Sequence, residues 1–193
     1  ALLAWEHFHP GNKVPDFIKL LDDYDRWQFK LYGTKAFQKN LWSLTPWSFK
    51  QWHAMHLGFQ QETTMYDPMA DFIVEGEAIL RAHDQNVQAV LAGQMNCKIY
   101  CYDRPGADGH GHFDGLACNT PAHLCSDVGH ELAKKSGTFG LCWSMQSNGR
   151  IKCELRSDSD FDVSANAKAF GGGGHARAAG FFTDLETLKG WLK

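Results

Sequence analysis

Hydrophobic positions recur every third or fourth residue through the first half of the chain and every second residue over much of the remainder. That change predicts a helical region followed by a strand-bearing one. Residues 1 to about 60 read as short helices, with Pro10-Gly11-Asn12 as a turn and Pro15 and Pro46 suited to first-turn positions. Across residues 68 to 93, Met69, Phe72, Ile73, Gly76, Ile79, Leu80, His83, Val87, Val90 and Leu91 keep helical spacing and predict one long helix. From Lys98 the pattern changes. Lys98 to Asp103 and Phe113 to Cys118 read as strands, separated by a loop carrying Pro105, Gly106, Gly109 and Gly111. The expected fold class is mixed α/β: residues 1–66 helical, 67–95 a connector helix, and 96–193 a mixed β-sheet domain with flanking helices.

Within the last region, Thr120-Pro121 can start a helix whose apolar stripe is Leu124, Cys125, Val128 and Leu132, with Gly137 placed to end it. Phe139, Leu141, Trp143 and Met145 then alternate with other residues. Asn148-Gly149 supplies a tight turn, and Ile151, Cys153 and Leu155 resume the alternation, so residues 138 to 157 predict a hairpin. Side chains alternate across a strand, so Lys152, Glu154 and Arg156 face away from Ile151, Cys153 and Leu155, and Arg156 is presented to solvent or ligand. Asp162 can cap a short helix through Phe170. Thr183 with Glu186 reads as a capping box for a final helix bearing Leu185, Leu188, Trp191 and Leu192.

Composition narrows the function classes. With 193 residues and 44% hydrophobic content the chain can bury a core without covalent staples. A formal net charge of -3 gives no global positive field, so a nucleic-acid partner should be short or locally gripped. No stretch approaches the roughly 20 apolar residues that span a bilayer, and the N-terminus lacks a basic leader region. No membrane association is expected, and the cytoplasm is the expected location. The chain opens without methionine at Ala1-Leu2-Leu3-Ala4-Trp5, in what reads as the middle of an amphipathic helix, which suggests a truncated chain. The six cysteines, Cys97, Cys101, Cys118, Cys125, Cys142 and Cys153, form no C-x-x-C pair and are expected to be buried and reduced. Trp5, Trp27, Trp42, Trp47 and Trp52 read as core or interface packing in preference to a base-stacking platform.

The densest chemical signal is the string Phe170-Gly171-Gly172-Gly173-Gly174-His175-Ala176-Arg177-Ala178-Ala179-Gly180. Four consecutive glycines remove every Cβ, so backbone N–H groups can turn inward and approach a phosphate closely, while His175 adds a side-chain donor. A structural glycine turn is the competing reading of the run taken alone.

The full string resembles the GGGH-x-x-AAG motif of the DHH-associated C-terminal domain of DHH-family phosphoesterases. Cys153-Glu154-Leu155-Arg156-Ser157 resembles that domain's strand ending in Leu-Arg-Ser, and Asp162-Val163-Ser164 with Ala167 to Phe170 resembles the helix leading into its glycine loop. The resemblance implies a substrate-binding role for Arg156, Ser157, Gly171, Gly172, Gly173, Gly174 and His175, with the arginine and histidine on phosphate or nucleotide. It also implies a manganese-dependent parent enzyme, whose partner is a nucleotide or short single-stranded oligonucleotide and in which a homodimer is left open.

Leu20-Leu21-Asp22-Asp23-Tyr24-Asp25-Arg26-Trp27 is similar to a segment late in the family's catalytic domain, which makes residues 1–66 the C-terminal part of that domain and Asp23 the candidate metal ligand, with Asp25 next. A helix-end acidic cluster is the alternative reading of these residues. The Asp-His-His triplet that names the family and its N-terminal Asp pair do not occur in this sequence, so no complete catalytic set is expected and the isolated chain is expected to be inactive. The alternative function is a noncatalytic nucleic-acid-binding module, because the same domain occurs in alanyl-tRNA synthetases. Asp158 to Asp162 lacks the glycine of a calcium loop, and His110-Gly111-His112 lacks flanking ligands, so neither is taken as a metal site.

Overall fold

The computed structural model describes residues 1–44, 46–61, 66–100 and 111–193. Cys101, His110 and the expected strand end and loop at residues 101–110 lie outside the described residues. The chain divides into two compact units, residues 1–85 and 86–193, with the division inside a long helix.

The first unit is helical: α1 (Leu2–Phe8), α2 (Asp16–Asp25), α3 (Thr34–Ser43), α4 (Phe49–Phe59) and most of α5 (Pro68–Leu91). Phe17, Leu20, Ala36, Phe37, Leu41 and Ile73 form its core. Trp47 and Trp52 pack against that core, as expected of the tryptophan-rich segment, although Trp42 is exposed. Gly76 of α5 lets α3 approach, since a Cβ there would lie 2.0 Å from the Ala36 carbonyl oxygen. Pro15 is the N-cap of α2 and not a first-turn residue. Pro46 lies outside α4, because Ser48 and Gln51 form a reciprocal capping box that starts the helix there.

The second unit is a six-stranded mixed sheet in the order β1-β2-β3-β4-β6-β5, built from β1 (Met95–Tyr100), β2 (His112–Asn119), β3 (Gly140–Met145), β4 (Ile151–Arg156), β5 (Gly173–His175) and β6 (Ala178–Thr183). Among the described strands only β2 and β3 run parallel. A 3-10 turn at Ala122–Leu124 and helix α6 (Cys125–Ser136) connect them, as a parallel pair requires. Gly137 ends α6 at φ +74°, a conformation suited to glycine. The expected hairpin is β3 with β4, paired from Gly140–Arg156 to Met145–Ile151.

Alternation decides which face each side chain meets. Ile151, Cys153 and Leu155 of β4, with Ala179 and Phe181 of β6, join Val163 and Ala167 of α7 (Val163–Ala169) and Leu188 and Trp191 of α8 (Leu185–Trp191) in one core. On the opposite face Cys118 and Cys142 pack with Val128 and Leu132 of α6 and with Val87 and Leu91. The five described cysteines are free and buried. Burial pushes the Cys97 and Cys153 thiols up to about 12, which keeps both protonated and unreactive at neutral pH. Asp162 caps α7 as expected. The cap of α8 is Asp184, not Thr183, because the Asp184 carboxylate accepts from the Thr187 amide at 2.7 Å. Among the described residues no helix is long and apolar enough to cross a membrane.

Candidate functional site

The glycine run divides into two halves with different tasks. Gly171, at φ +74°, and Gly172 close α7: the Gly171 amide donates to the Lys168 carbonyl at 3.0 Å and the Gly172 amide to the Ala167 carbonyl at 2.9 Å. This pair of bonds is a Schellman end, so these two amides are engaged by the helix and do not serve as inward-turned phosphate donors. A Cβ on Gly172 would lie 2.2 Å from the Gly180 carbonyl oxygen. Gly173 and Gly174 begin β5. Gly174 has φ +144° and is crowded by Ala178 and Ala179, whereas a Cβ on Gly173 would meet nothing within 4 Å. The backbone demand for glycine therefore falls on Gly171, Gly172 and Gly174, and Gly173 leaves open space above the sheet.

Strand register brings the motif pieces together. Arg156 pairs with Ala178, and Ala178 pairs on its other side with His175. Residues opposite one another on neighbouring strands share a face, so the Arg156 and His175 side chains rise from the same face of one rung. Their backbones are about 10 Å apart, two inter-strand spacings of about 4.8 Å, and only the methyl of Ala178 stands between. The next rung on this face is Glu154, Gly180 and Gly173, and beyond it Lys152 pairs with Phe182. The result is a trough with a glycine floor, bounded by cations on β4 and a histidine on β5. Helix α6 packs over β2, β3 and part of β4.

Arg156 is held but not fully enclosed. Its aliphatic stem lies against α6 at Gly129, where a Cβ would come within 2.7 Å of the Arg156 Cγ. The guanidinium donates to the Ser126 hydroxyl at 3.2 Å and to the Leu155 carbonyl at 3.0 Å. It also lies 3.5 Å from the Glu154 carboxylate, and Glu154 forms a second ion pair with Lys152. Glu154 thus bridges the two cations that face the trough. Arg156 is half-buried as a consequence, less open than alternation alone suggested. His175 is exposed and has no hydrogen-bond partner among the described residues.

Ser157 is buried, and its hydroxyl is taken up in a local turn with Ser159. Its amide does more: it donates to the Arg177 carbonyl at 3.1 Å, and the Val163 amide donates to the Ala176 carbonyl at 2.9 Å. Both carbonyls of the Ala176-Arg177 turn are thereby pinned to the end of β4 and the start of α7. The sequence-distant arginine and histidine are held in register by these bonds.

A shallow pocket of about 400 Å³ opens at the far end of the trough, where β5 stops and β6 runs on; Arg150, Lys152, Gly171, Gly173, Gly180 and Phe182 line it. Phe182 is 43% exposed, and the Arg150 guanidinium sits 4.7 Å from its ring centroid. Neither residue stood out in the sequence. The available signal was period two, which places Phe182 on the face of Ala178 and Gly180.

In the first unit, Asp23 is buried and accepts three hydrogen bonds from its own chain. Its Oδ1 accepts from the Lys30 amide at 3.0 Å, and its Oδ2 accepts from the Leu31 amide at 3.1 Å and the Thr34 hydroxyl at 2.6 Å. Burial pushes this carboxyl up, but the Thr34, Lys30 and Leu31 donors outweigh it and hold the group below the usual carboxylate range. Asp22 pairs with Arg26, and Asp25 is exposed. Among the described residues no three His, Cys, Asp or Glu side chains are grouped to hold a metal ion. Among the described residues the acidic segment does not present a two-metal ligand set by itself, and the three bonds to Asp23 tie down the loop between α2 and α3.

No family profile matches the sequence. The chain is 26% identical over 176 residues to oligoribonuclease NrnB of Bacillus subtilis, covering 89% of this chain and 40% of that protein. It is 25% identical over 189 residues to an uncharacterised protein of Acanthamoeba polyphaga mimivirus, covering 92% of this chain and 39% of the relative. The chain thus spans about two-fifths of the length of these relatives. Among solved structures, a pGpG-specific phosphodiesterase, PggH from Vibrio cholerae, is similar at 10% identity with a TM-score of 0.49, over 95% of this chain and 67% of that one.

Proposed function

We propose that the chain carries a DHH-family C-terminal domain, a reading supported by its similarity to an oligoribonuclease, and that it is the substrate-holding part of a metal-dependent phosphoesterase acting on nucleotides or short oligonucleotides. The observation that carries this reading is the shared rung of Arg156 and His175 beside a glycine floor. A guanidinium fork grips phosphate oxygens in two parallel bonds, and an imidazole across the trough can donate a third. Gly173 leaves room for the phosphate to approach the backbone, while Gly171, Gly172 and Gly174 give the loop its shape. An arriving phosphate takes the place of the Glu154 carboxylate in the Arg156 contact, so the site exchanges one anion for another and no cation is left bare in either state. Net charge of -3 supports a short ligand gripped at this one place over a long polymer held by a broad field.

Manganese ions, which the family resemblance implies, and the catalytic half that binds them are assigned to other residues of the parent protein. The residues described here bind and orient the phosphate end. The test is calorimetric titration of the chain with adenosine monophosphate. Arg156→Ala should weaken binding by about tenfold or more, since a charge-assisted bond contributes roughly 1.5–3 kcal/mol, and His175→Ala should do comparable damage. If both contact one phosphate, the double variant should lose less than the sum of the single losses. Full additivity, or unchanged affinity in either single variant, refutes a shared phosphate site.

A further inference from the structure

Three of the five described cysteines, Cys118, Cys125 and Cys142, gather in the cluster on the face of the sheet that α6 covers. Cys118 and Cys142 are direct partners on the parallel strands β2 and β3, and Cys125 is the first residue of α6. Their hydrogen bonds separate the three. The Cys118 thiol donates to the Val90 carbonyl at 2.9 Å. The Cys142 thiol donates to the Cys125 carbonyl at 3.5 Å and is in hydrogen-bonding contact with the Cys125 thiol, which itself lies 3.5 Å from the Pro121 carbonyl. The bond between the two thiols holds Cys125 below its ordinary value, and Arg156 and Lys152 act in the same direction against burial and Glu154. That bond, with burial, pushes Cys142 up. Cys125 is thus the better nucleophile of the pair, unlike Cys97 and Cys153, which are pushed up to about 12. Cys125 is itself buried, but Pro121, Ala122 and His123 just before it are exposed, so local opening of the 3-10 turn admits a molecule little larger than water.

We propose that Cys125 and Cys142 are a reversible oxidation site, joined as a disulfide by hydrogen peroxide, and that this bond loosens the hold of Arg156 on a phosphate. The second half of the inference rests on the phosphate-binding reading given above. In the first step the Cys125 thiolate attacks a peroxide oxygen: an S–O bond forms, the O–O bond breaks, and the departing hydroxide takes the proton lost by Cys125 and leaves as water. The Cys142 sulfur then attacks the Cys125 sulfenic sulfur. The S–S bond forms, the S–O bond breaks, and the hydroxide released takes the Cys142 proton as a second water. The two sulfurs give up two electrons and the peroxide accepts them. Three contacts couple this pair to Arg156. Cys142 pairs across the sheet with Glu154, which lies 3.5 Å from the guanidinium. Ser126, next in the chain to Cys125, accepts from that guanidinium at 3.2 Å. A Cβ on Gly129 would lie 2.7 Å from the Arg156 Cγ and 3.4 Å from the Cys142 Sγ, so the arginine stem and the sulfur flank the same bare residue. A disulfide is only about 2.05 Å long, so closing it draws the first turn of α6 toward β3 by about 1 Å. Ser126 moves with that turn and its bond to Arg156, which is anchored on β4, is lost.

The test treats the reduced 193-residue chain with hydrogen peroxide, maps it by mass spectrometry without reduction, and titrates it with adenosine monophosphate. The expected product has lost two hydrogens and carries a cross-linked peptide pair containing Cys125 and Cys142. It should bind the monophosphate about three- to tenfold more weakly, as the loss of one hydrogen bond to Arg156 implies, and dithiothreitol should restore both the mass and the affinity. Cys125→Ser keeps a hydroxyl for the Pro121 carbonyl, and Cys142→Ser keeps one for the Cys125 carbonyl. Each should bind as the reduced wild type does and lose the response to peroxide. A cross-link through Cys101 or Cys118, or a product holding only sulfinic and sulfonic acids, overturns the oxidation site. A Cys125–Cys142 disulfide that leaves affinity unchanged, or a response retained in both serine variants, overturns the coupling to Arg156. If the reduced wild-type chain binds no adenosine monophosphate, the phosphate-binding reading fails and the coupling falls with it, while the peptide map still decides the disulfide.

Discussion

Two charged motifs in this chain resemble functional segments of one family, and their hydrogen bonding sets them apart. At the end of α2, both carboxylate oxygens of Asp23 are occupied by three donors from residues 30–34, so the charge is consumed in fixing a loop. In the sheet unit, Arg156 rests against one hydroxyl, one carbonyl and a carboxylate at 3.5 Å, and His175 stands open to solvent. Sequence similarity locates a charged residue; the donors and acceptors around it decide whether it is available. A carboxylate that already accepts three hydrogen bonds from its own loop has fewer lone pairs to offer a metal ion. A guanidinium with one exchangeable anion is disposed to accept another.

The largest expected effect tests the structural side of this contrast within the glycine loop itself. Gly172→Val and Gly174→Val place a branched side chain within 2.2 and 2.5 Å of backbone oxygens, those of Gly180 and Ala178. Each should lower unfolding stability by about 1–3 kcal/mol, as overpacking does. Gly173→Val meets open space and should melt like wild type while losing ligand affinity. A Gly173→Val chain that unfolds as readily as the other two would show that the loop is purely structural.

A smaller effect concerns Asp23. Its folded pKa lies below the unfolded value of about 3.9, so its contribution to stability is present above roughly pH 4 and is lost as pH falls through the folded pKa. Asp23→Asn removes that contribution, so it should lower the thermal midpoint at pH 7 and narrow the difference between pH 7 and pH 3 melts. An Asp23→Asn chain with an unchanged midpoint at pH 7 would free this residue from the loop-holding role. The smallest effect is at Glu154. Removing the carboxylate that competes for Arg156 should tighten monophosphate binding about three- to fivefold, within the range of a partly exposed ion pair. Weaker binding by Glu154→Gln would mean that Glu154 positions Arg156 and does not compete with the ligand.

Much of the sheet unit was legible because its signals are local. Alternation with an Asn-Gly turn marks β3 and β4, Gly137 marks the end of α6, and Asp162 marks the start of α7. The cap of the last helix was misplaced by one residue, since Thr183 and Asp184 are both capping types and only the fold selects Asp184. Four identical glycines carry no mark of which ones the backbone requires, and only the packing separates the crowded Gly172 and Gly174 from the open space at Gly173. Phe182 was missed for a different reason. Its contact with Arg150 comes from β6 pairing with β4, a non-local arrangement that no window of sequence contains.

The two-residue turn Ala176-Arg177 also sets the phase of the site. Because strand side chains have a period of two, inserting or deleting a single residue between His175 and Ala178 would turn the imidazole toward the hydrophobic core and bring Gly174 or Ala176 to the rung opposite Arg156. The bonds from Ser157 and Val163 to the turn's carbonyls oppose such slippage from outside the hairpin. Variation in length is therefore compatible with this site before the glycines or after β6, but between histidine and alanine the count must stay at two.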